Sequence, residues 1–221
     1  MSSGPDLLRR HRFVWIADPG DLFDRVVGET PQDNVAILRN WLGKGHPLIV
    51  RRPCVSEDRN TLSVGLALPP DPVKRRLAFR LPVSYVGKVV EPPLWTDCAA
   101  ATSPKIATIV KSILSATEAS ELPLQTFGSY AWQYHTGLSY VTPNSDIDLL
   151  VPMKRENWRR FRRSMTESKK THHRVDLEIV LNGDASFNWR EFGAPGTRLL
   201  FKGNHSVWMG DKSDVETFFH E

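Results

Sequence analysis

Cysteine is scarce in this sequence, with two residues, Cys54 and Cys98, in a chain of 221. They lie far apart and form no Cys-x-x-Cys pair, which argues against a zinc site and against a disulfide framework. Two reduced thiols in a reducing compartment is the plain reading. Long apolar runs are missing as well. No stretch of about 18 apolar residues occurs, so no membrane span is expected. Met1 to Arg12 holds nothing like the apolar centre of a secretory leader. A cytoplasmic location is the resulting expectation. Internal repeats and low-complexity tracts are also missing. With 40% hydrophobic and 24% charged residues, the chain falls outside the disordered class. Its length suffices for one large domain or two small ones with a real core.

What the sequence does hold in one place is positive charge. From Lys154 to Arg174 nine basic residues (Lys154, Arg155, Arg159, Arg160, Arg162, Arg163, Lys169, Lys170 and Arg174) face only Glu156 and Glu167. The segment is +7 in a chain whose formal net charge is +4. The remainder of the chain is therefore slightly acidic.

Hydrophobic patterning divides the chain in two. In the first part, Asn34 to Leu42 suits a short helix ending at Gly43, and Pro47–Arg52 and Leu62–Leu68 suit strands. Pro69, Pro70 and Pro72 then interrupt regular structure. No catalytic constellation is visible there. Glu91-Pro92-Pro93 reads as a boundary, giving units of 1–94 and 95–221. Beyond it, Ser103-Pro104 is a helix start, with serine as N-cap and proline in the first turn. Ile106, Ile109, Val110, Ile113 and Leu114 form its apolar stripe. Leu124 to Phe127 is a strand, Gly128-Ser129 a turn, and Tyr130 to Tyr134 a short helix stopped by Gly137. Ser145 to Val151 is a strand and Glu156 to Ser168 a helix with Trp158, Phe161 and Met165 on its apolar face. Arg174 to Leu181, Leu199 to Lys202 and Ser206 to Trp208 are further strands, and a terminal helix starts near Ser213. Trp132 and Trp158 are expected in the core, and His172-His173 at the surface.

Chemistry concentrates around Ser145-Asp146-Ile147-Asp148-Leu149-Leu150. In a strand, Asp146 and Asp148 share one face, roughly 6–7 Å apart. Two carboxylates so placed repel each other, and a divalent cation relieves that repulsion. Mg²⁺ takes carboxylate oxygens while keeping sites for water and phosphate. Taken alone, Asp-x-Asp is as readily an exposed strand end. Gly128-Ser129 upstream adds a small residue for close phosphate approach and a hydroxyl at a helix start. Asp176 and Glu178 on a later strand add further acids, and Asp176 is favoured as a third metal ligand with Glu178 in reserve.

Gly128-Ser129, then Asp146-Ile147-Asp148, then Asp176 on a later strand resembles the nucleotidyltransferase superfamily of polymerase-β type. The runs Gly128-Ser129-Tyr130-Ala131-Trp132-Gln133, Thr136-Gly137-Leu138-Ser139-Tyr140 and Ser145–Leu150 narrow the likeness. Pro47–Arg52, Gly65–Pro70 and Asn188-Trp189-Arg190-Glu191 agree with them. Together they are similar to the holo-acyl-carrier-protein synthase (phosphoribosyl-dephospho-CoA transferase) family of malonate decarboxylase. The sequence departs from that pattern in a longer gap after Ser129 and in Asp176-Leu177-Glu178, where the family often has an intervening glycine.

The resemblance implies an α+β fold: a polymerase-β-type nucleotidyltransferase domain, a mixed sheet with flanking helices, preceded by a smaller α/β domain for substrate or carrier recognition. It implies transfer of a prosthetic group from 2′-(5″-triphosphoribosyl)-3′-dephospho-CoA to a serine of an acyl carrier protein, with pyrophosphate released. Asp146, Asp148 and Asp176 would hold Mg²⁺, and Gly128 and Ser129 would grip the triphosphate. The basic run is either a solvated helix face or a surface for an acidic carrier or the polyphosphate donor, with Arg159, Arg162 and Arg163 as candidates. No nucleic acid and no membrane is expected as a partner. Two alternatives use the same residues differently: transfer from an ordinary nucleoside triphosphate, or non-catalytic binding of nucleic acid or an acidic protein by the basic run.

Overall fold

A computed structural model of the chain describes residues 9–26, 32–53, 60–70, 75–98, 102–167, 173–181 and 185–218. Cys54, Lys169, Lys170 and His172 lie outside the described residues. The chain divides into two compact units: Met1–Pro92 with His135–Tyr140, and Pro93–Tyr134 with Val141–Glu221.

The first unit is built on a five-stranded sheet. Its strands are β1 (Phe13–Ile16), β2 (Leu48–Val50), β3 (Thr61–Ala67), β4 (Arg76–Pro82) and β5 (Val86–Val90), in the order β4-β3-β2-β1-β5. Every pairing is antiparallel. This corrects the α/β character expected for this half. The sequence reading includes none of β1, β4 and β5; in β4, Leu77, Phe79 and Leu81 alternate inward and the strand pairs with β3 along its whole length. Helix α1 (Gln32–Gly43) buries Leu38, Trp41 and Leu42. Residues 135–140 belong to this unit. The Tyr140 hydroxyl donates to Ala67 O at 2.6 Å, and the His135 ring sits 4.3 Å from that of Phe13. Burial, with the charge of Lys88, pushes the His135 imidazole down to about 4.

The second unit carries a six-stranded sheet of β6 (Gln125–Thr126), β7 (Ile147–Met153), β8 (Val175–Leu181), β9 (Ala185–Asn188), β10 (Arg198–Gly203) and β11 (Val207–Asp211). Their order is β11-β10-β9-β8-β7-β6. Only β7 and β8 run parallel, so the sheet is mixed. A parallel pair needs a long crossover, and α5 (Arg155–Glu167) supplies it. Around the sheet lie α2 (Trp95–Cys98), α3 (Pro104–Ala119), α4 (Gly128–Thr136), α6 (Trp189–Gly193) and α7 (Asp214–Thr217). The α+β class expected from the sequence holds.

Strand alternation gives this sheet two unlike faces. Leu149, Val151, Leu177, Ile179, Phe187 and Phe201 fill one face. They pack in one core with Val110 and Ile113 of α3 and Trp158, Phe161 and Met165 of α5. Each such side chain stabilises the fold by about 1.5–3 kcal/mol. The serine cap of α3 forms as expected, with Ser103 Oγ accepting from Ile106 N at 3.4 Å. Trp132 and Trp158 are buried, as expected. Cys98 is also buried, and desolvation pushes its thiol up to about 12. That thiol is unreactive at neutral pH. No described helix is long and apolar enough to cross a membrane.

Candidate active site

The opposite face of the second sheet carries a cluster of polar side chains beside apolar ones such as Leu150 and Val180. Asp148 on β7 and Asp176 on β8 are in-register neighbours across the parallel pair, so their side chains leave the sheet on the same side. Lys202 pairs with Ser186, and Glu178 with Asn188, which places all four on that face too. The first face is packed into the core, and the second carries these charged and polar side chains.

Gly128 is brought directly to Asp148. Its φ is +63°, a conformation that favours glycine. A Cβ added there would collide with Asp148 Oδ2 and lie 2.9 Å from Cγ. Thr126 and Phe127 hold this approach by donating to Asp148 O, from the hydroxyl at 2.7 Å and from the amide at 3.1 Å. Helix α4 starts at this glycine, so its first free N–H groups and the Ser129 hydroxyl belong to the same corner. The Tyr130 phenol is buried close by; burial raises its pKa, and the charges of Arg174 and Asp148 act on it in opposite directions.

Asp146 sits differently from the expectation. The strand starts at Ile147, not Ser145, and Asp146 is exposed just before it. Ser145 is drawn into a turn: its amide donates to Thr142 O at 3.0 Å and its Oγ accepts from Thr142 N at 2.9 Å. Arg174 donates to Ser145 O, and strand pairing with β8 begins only after that.

Asp176 is half-buried and wired to a partner. Asn188 Nδ2 donates to Asp176 Oδ1. The other end of that amide caps α6, with Oδ1 accepting from Arg190 N at 2.8 Å and Glu191 N at 3.3 Å. The cap fixes which end of the amide faces the carboxylate. Burial holds the Asp176 carboxyl above its ordinary value, and Glu178 adds to this; Lys202, Arg190 and the Asn188 hydrogen bond oppose it. Glu178 is 3% exposed and carries its own partners, Lys202 Nζ at 2.6 Å on Oε1 and Ser186 Oγ at 2.9 Å on Oε2. Spacing in the sequence does not join these partners to the acids, although Lys202 is a candidate for reaching a phosphate. Asn188 stands at the head of Asn188-Trp189-Arg190-Glu191, where a helix-capping pattern was available as a signal; Ser186 offers none.

The basic helix lies on the other side. Trp158, Phe161 and Met165 of α5 pack on the apolar face, so the exposed Arg159, Arg162 and Arg163 point away from the sheet. Arg162 is 3.5 Å from Glu216 and its guanidinium sits 5.6 Å from the Phe192 ring centre. The structure therefore does not bring these arginines to the carboxylates.

Among the described residues no group of three or more His, Cys, Asp or Glu is gathered closely enough to cage a metal ion. Two adjacent carboxylates beside a glycine do suit a hard cation that leaves most positions to water and phosphate. The arrangement can assemble charge around a polyphosphate.

Family models match the whole of this framework. Residues 9–92 match the phosphoribosyl-dephospho-CoA transferase MdcG N-terminal domain, and residues 93–213 match the MdcG C-terminal domain. The chain belongs to the phosphoribosyl-dephospho-CoA transferase family. It is an enzyme, a transferase. A protein of that name from Xanthomonas euvesicatoria pv. vesicatoria is 31% identical over 198 residues, covering 88% of this chain and 90% of its own. One from Xanthomonas axonopodis pv. citri is 30% identical with the same coverage. A third, from Bradyrhizobium diazoefficiens, is 28% identical and covers 92% of this chain and 90% of its own. No solved structure matches the chain.

Proposed function

We propose that this transferase moves the phosphoribosyl-dephospho-CoA group from 2′-(5″-triphosphoribosyl)-3′-dephospho-CoA to a serine hydroxyl of the malonate decarboxylase acyl carrier protein, releasing pyrophosphate. The observation that carries the reading is the in-register pair Asp148 and Asp176, set against Gly128 at the start of α4. We read this unit as a nucleotidyltransferase of polymerase-β type, with the first unit serving substrate or carrier recognition. A cytoplasmic setting is part of the same reading.

In the proposed reaction the serine oxygen bonds to the α-phosphorus, the bond from that phosphorus to the bridging oxygen breaks, and pyrophosphate departs. Gly128 lets the backbone come close to the polyphosphate, while Ser129 Oγ and the first amides of α4 donate to its oxygens. Asp148 and Asp176, with the exposed Asp146 joining once the donor is in place, would hold Mg²⁺. When bound, Mg²⁺ supplies charge neutralisation for the polyphosphate. Asn188 keeps Asp176 oriented and leaves its Oδ2 for this work. The serine proton passes to solvent or to that oxygen. Most of the catalysis is positioning and electrostatic stabilisation, so no covalent enzyme intermediate is required. Arg159, Arg162 and Arg163, remote from this face, fit a surface for the acidic carrier better than a grip on the donor.

Intact mass of the apo carrier, before and after incubation with enzyme, donor and Mg²⁺, tests the proposal. The expected result is a mass gain equal to the prosthetic group, with one pyrophosphate per carrier. Loading from an ordinary nucleoside triphosphate, and not from the proposed donor, would replace this reading with the alternative nucleotide donor.

A further inference from the structure

The polar face of the second sheet holds one more charge pair than a seat for metal calls for. Glu178 and Lys202 lie beside the acids, with Nζ 2.6 Å from Oε1. A buried ion pair seldom improves stability over apolar residues of the same size, because desolvation offsets the attraction. Its presence on this face therefore invites a functional account. Both Glu178 oxygens are engaged, one by Lys202 and one by the Ser186 hydroxyl. Glu178 is thereby occupied as an anchor. Lys202 is held but not sealed in, since its side chain is 24% exposed against 3% for Glu178. It stands on β10, two strands from β8, or roughly 10 Å across the sheet. An ammonium so fixed faces the side on which Asp148 and Asp176 stand.

We propose that Lys202 is a binding residue for the donor's polyphosphate, gripping the phosphates that leave, and that Glu178 is the positioning residue that aims it. The donor is a polyanion longer than one metal seat can neutralise. A lysine ammonium is a compact charge suited to phosphate oxygens whose orientation changes during transfer. Glu178 prevents the long side chain from swinging away, so less freedom is lost on binding. This rests on the reading of Asp148 and Asp176 as the seat of transfer.

The test uses the full chain as wild type, K202M, K202R and the double variant K202M/E178L, assayed for carrier loading with the donor varied. K202M is expected to raise the donor KM about 10- to 100-fold, the range of a lost charged hydrogen bond. Inhibition by added pyrophosphate should weaken by a similar factor, while the KM for the carrier stays put. K202R should recover most of the loss. In K202M/E178L the pair is replaced by apolar groups, so the chain folds even if K202M alone does not, and the raised donor KM should persist. A double variant with wild-type donor KM would show Lys202 to be only a counter-charge for Glu178 and would overturn the proposal. So would an unchanged donor KM and pyrophosphate inhibition in K202M. Asp148→Asn separates the two layers: full activity in it removes the underlying reading, whereas an inactive D148N beside an unaltered K202M removes only the role of Lys202.

Discussion

The two acid-bearing strands run side by side, yet they treat their carboxylates differently. On β8 the protein itself supplies partners: Asn188 for Asp176, and Lys202 with Ser186 for Glu178. On β7 Asp148 meets a glycine backbone and Asp146 is exposed. On β8 the acids stand within the strand among side-chain partners, whereas β7 begins at Ile147 with Asp148 against the Gly128 backbone and an exposed acid just ahead of it. The difference teaches that acid spacing alone does not assign roles. Asp176 and Glu178 are two residues apart on one face, but one is held by a single amide hydrogen bond and the other is committed to an ion pair.

Breaking the β7 side should cost the most. Asp148→Asn keeps the shape and removes the charge, and carrier loading should fall by about 10³-fold or more with little change in thermal stability. A loss under tenfold would make the two strands equivalent in the wrong sense, with neither needed. Gly128→Ala comes next. The positive φ and the collision with Asp148 should cost about 1–3 kcal/mol of stability and about 100-fold in rate, measured by urea unfolding and by loading kinetics.

Breaking the β8 side should show first in folding. Glu178→Ala leaves the Lys202 ammonium facing a buried gap, and unfolding free energy should drop by about 2 kcal/mol, reduced from the fully buried case because Lys202 is partly exposed. The smallest effect concerns acid titration. The folded chain holds the Asp176 proton at pH values where the unfolded chain has released it, because burial raises that carboxyl above 3.8. This stabilisation is complete below 3.8 and is lost as pH rises through the folded value. Asp176→Asn should therefore be more stable than wild type at pH 7, with the advantage shrinking as pH approaches 3.8. An advantage that stays constant across that window would show that Asp176 is not strained by burial.

Much of the second unit was legible because periodicity and caps act locally. Ser103-Pro104 started α3, the stripe of Trp158, Phe161 and Met165 faced inward, and the alternation of Val175, Leu177 and Ile179 marked β8. The approach of Gly128 to Asp148 followed the motif's own logic. The start of β7 was misplaced because the Thr142–Ser145 turn depends on hydrogen bonds that leave no periodic trace. The five-stranded sheet of the first unit was largely hidden: β1 and β5 are short and pair across 70 to 77 residues. Lys202 could not be linked to Glu178 from spacing, since 24 residues and two strand reversals separate them. The arginines of α5 looked like site residues from charge alone, and only the packing of α5 reveals that they face away.

The assignment of residues 135–140 matters for anyone dividing this gene. Helix α4 begins with the glycine of the proposed phosphate corner, and its last two residues, with the segment up to Tyr140, are counted with the N-terminal body. A cut after Pro92 therefore does not separate two self-sufficient pieces. The downstream fragment would carry away the phenol that ties to Ala67, and the upstream fragment would lose a piece of its own interior. The protein is two bodies in space, but its message cannot be split into two clean halves.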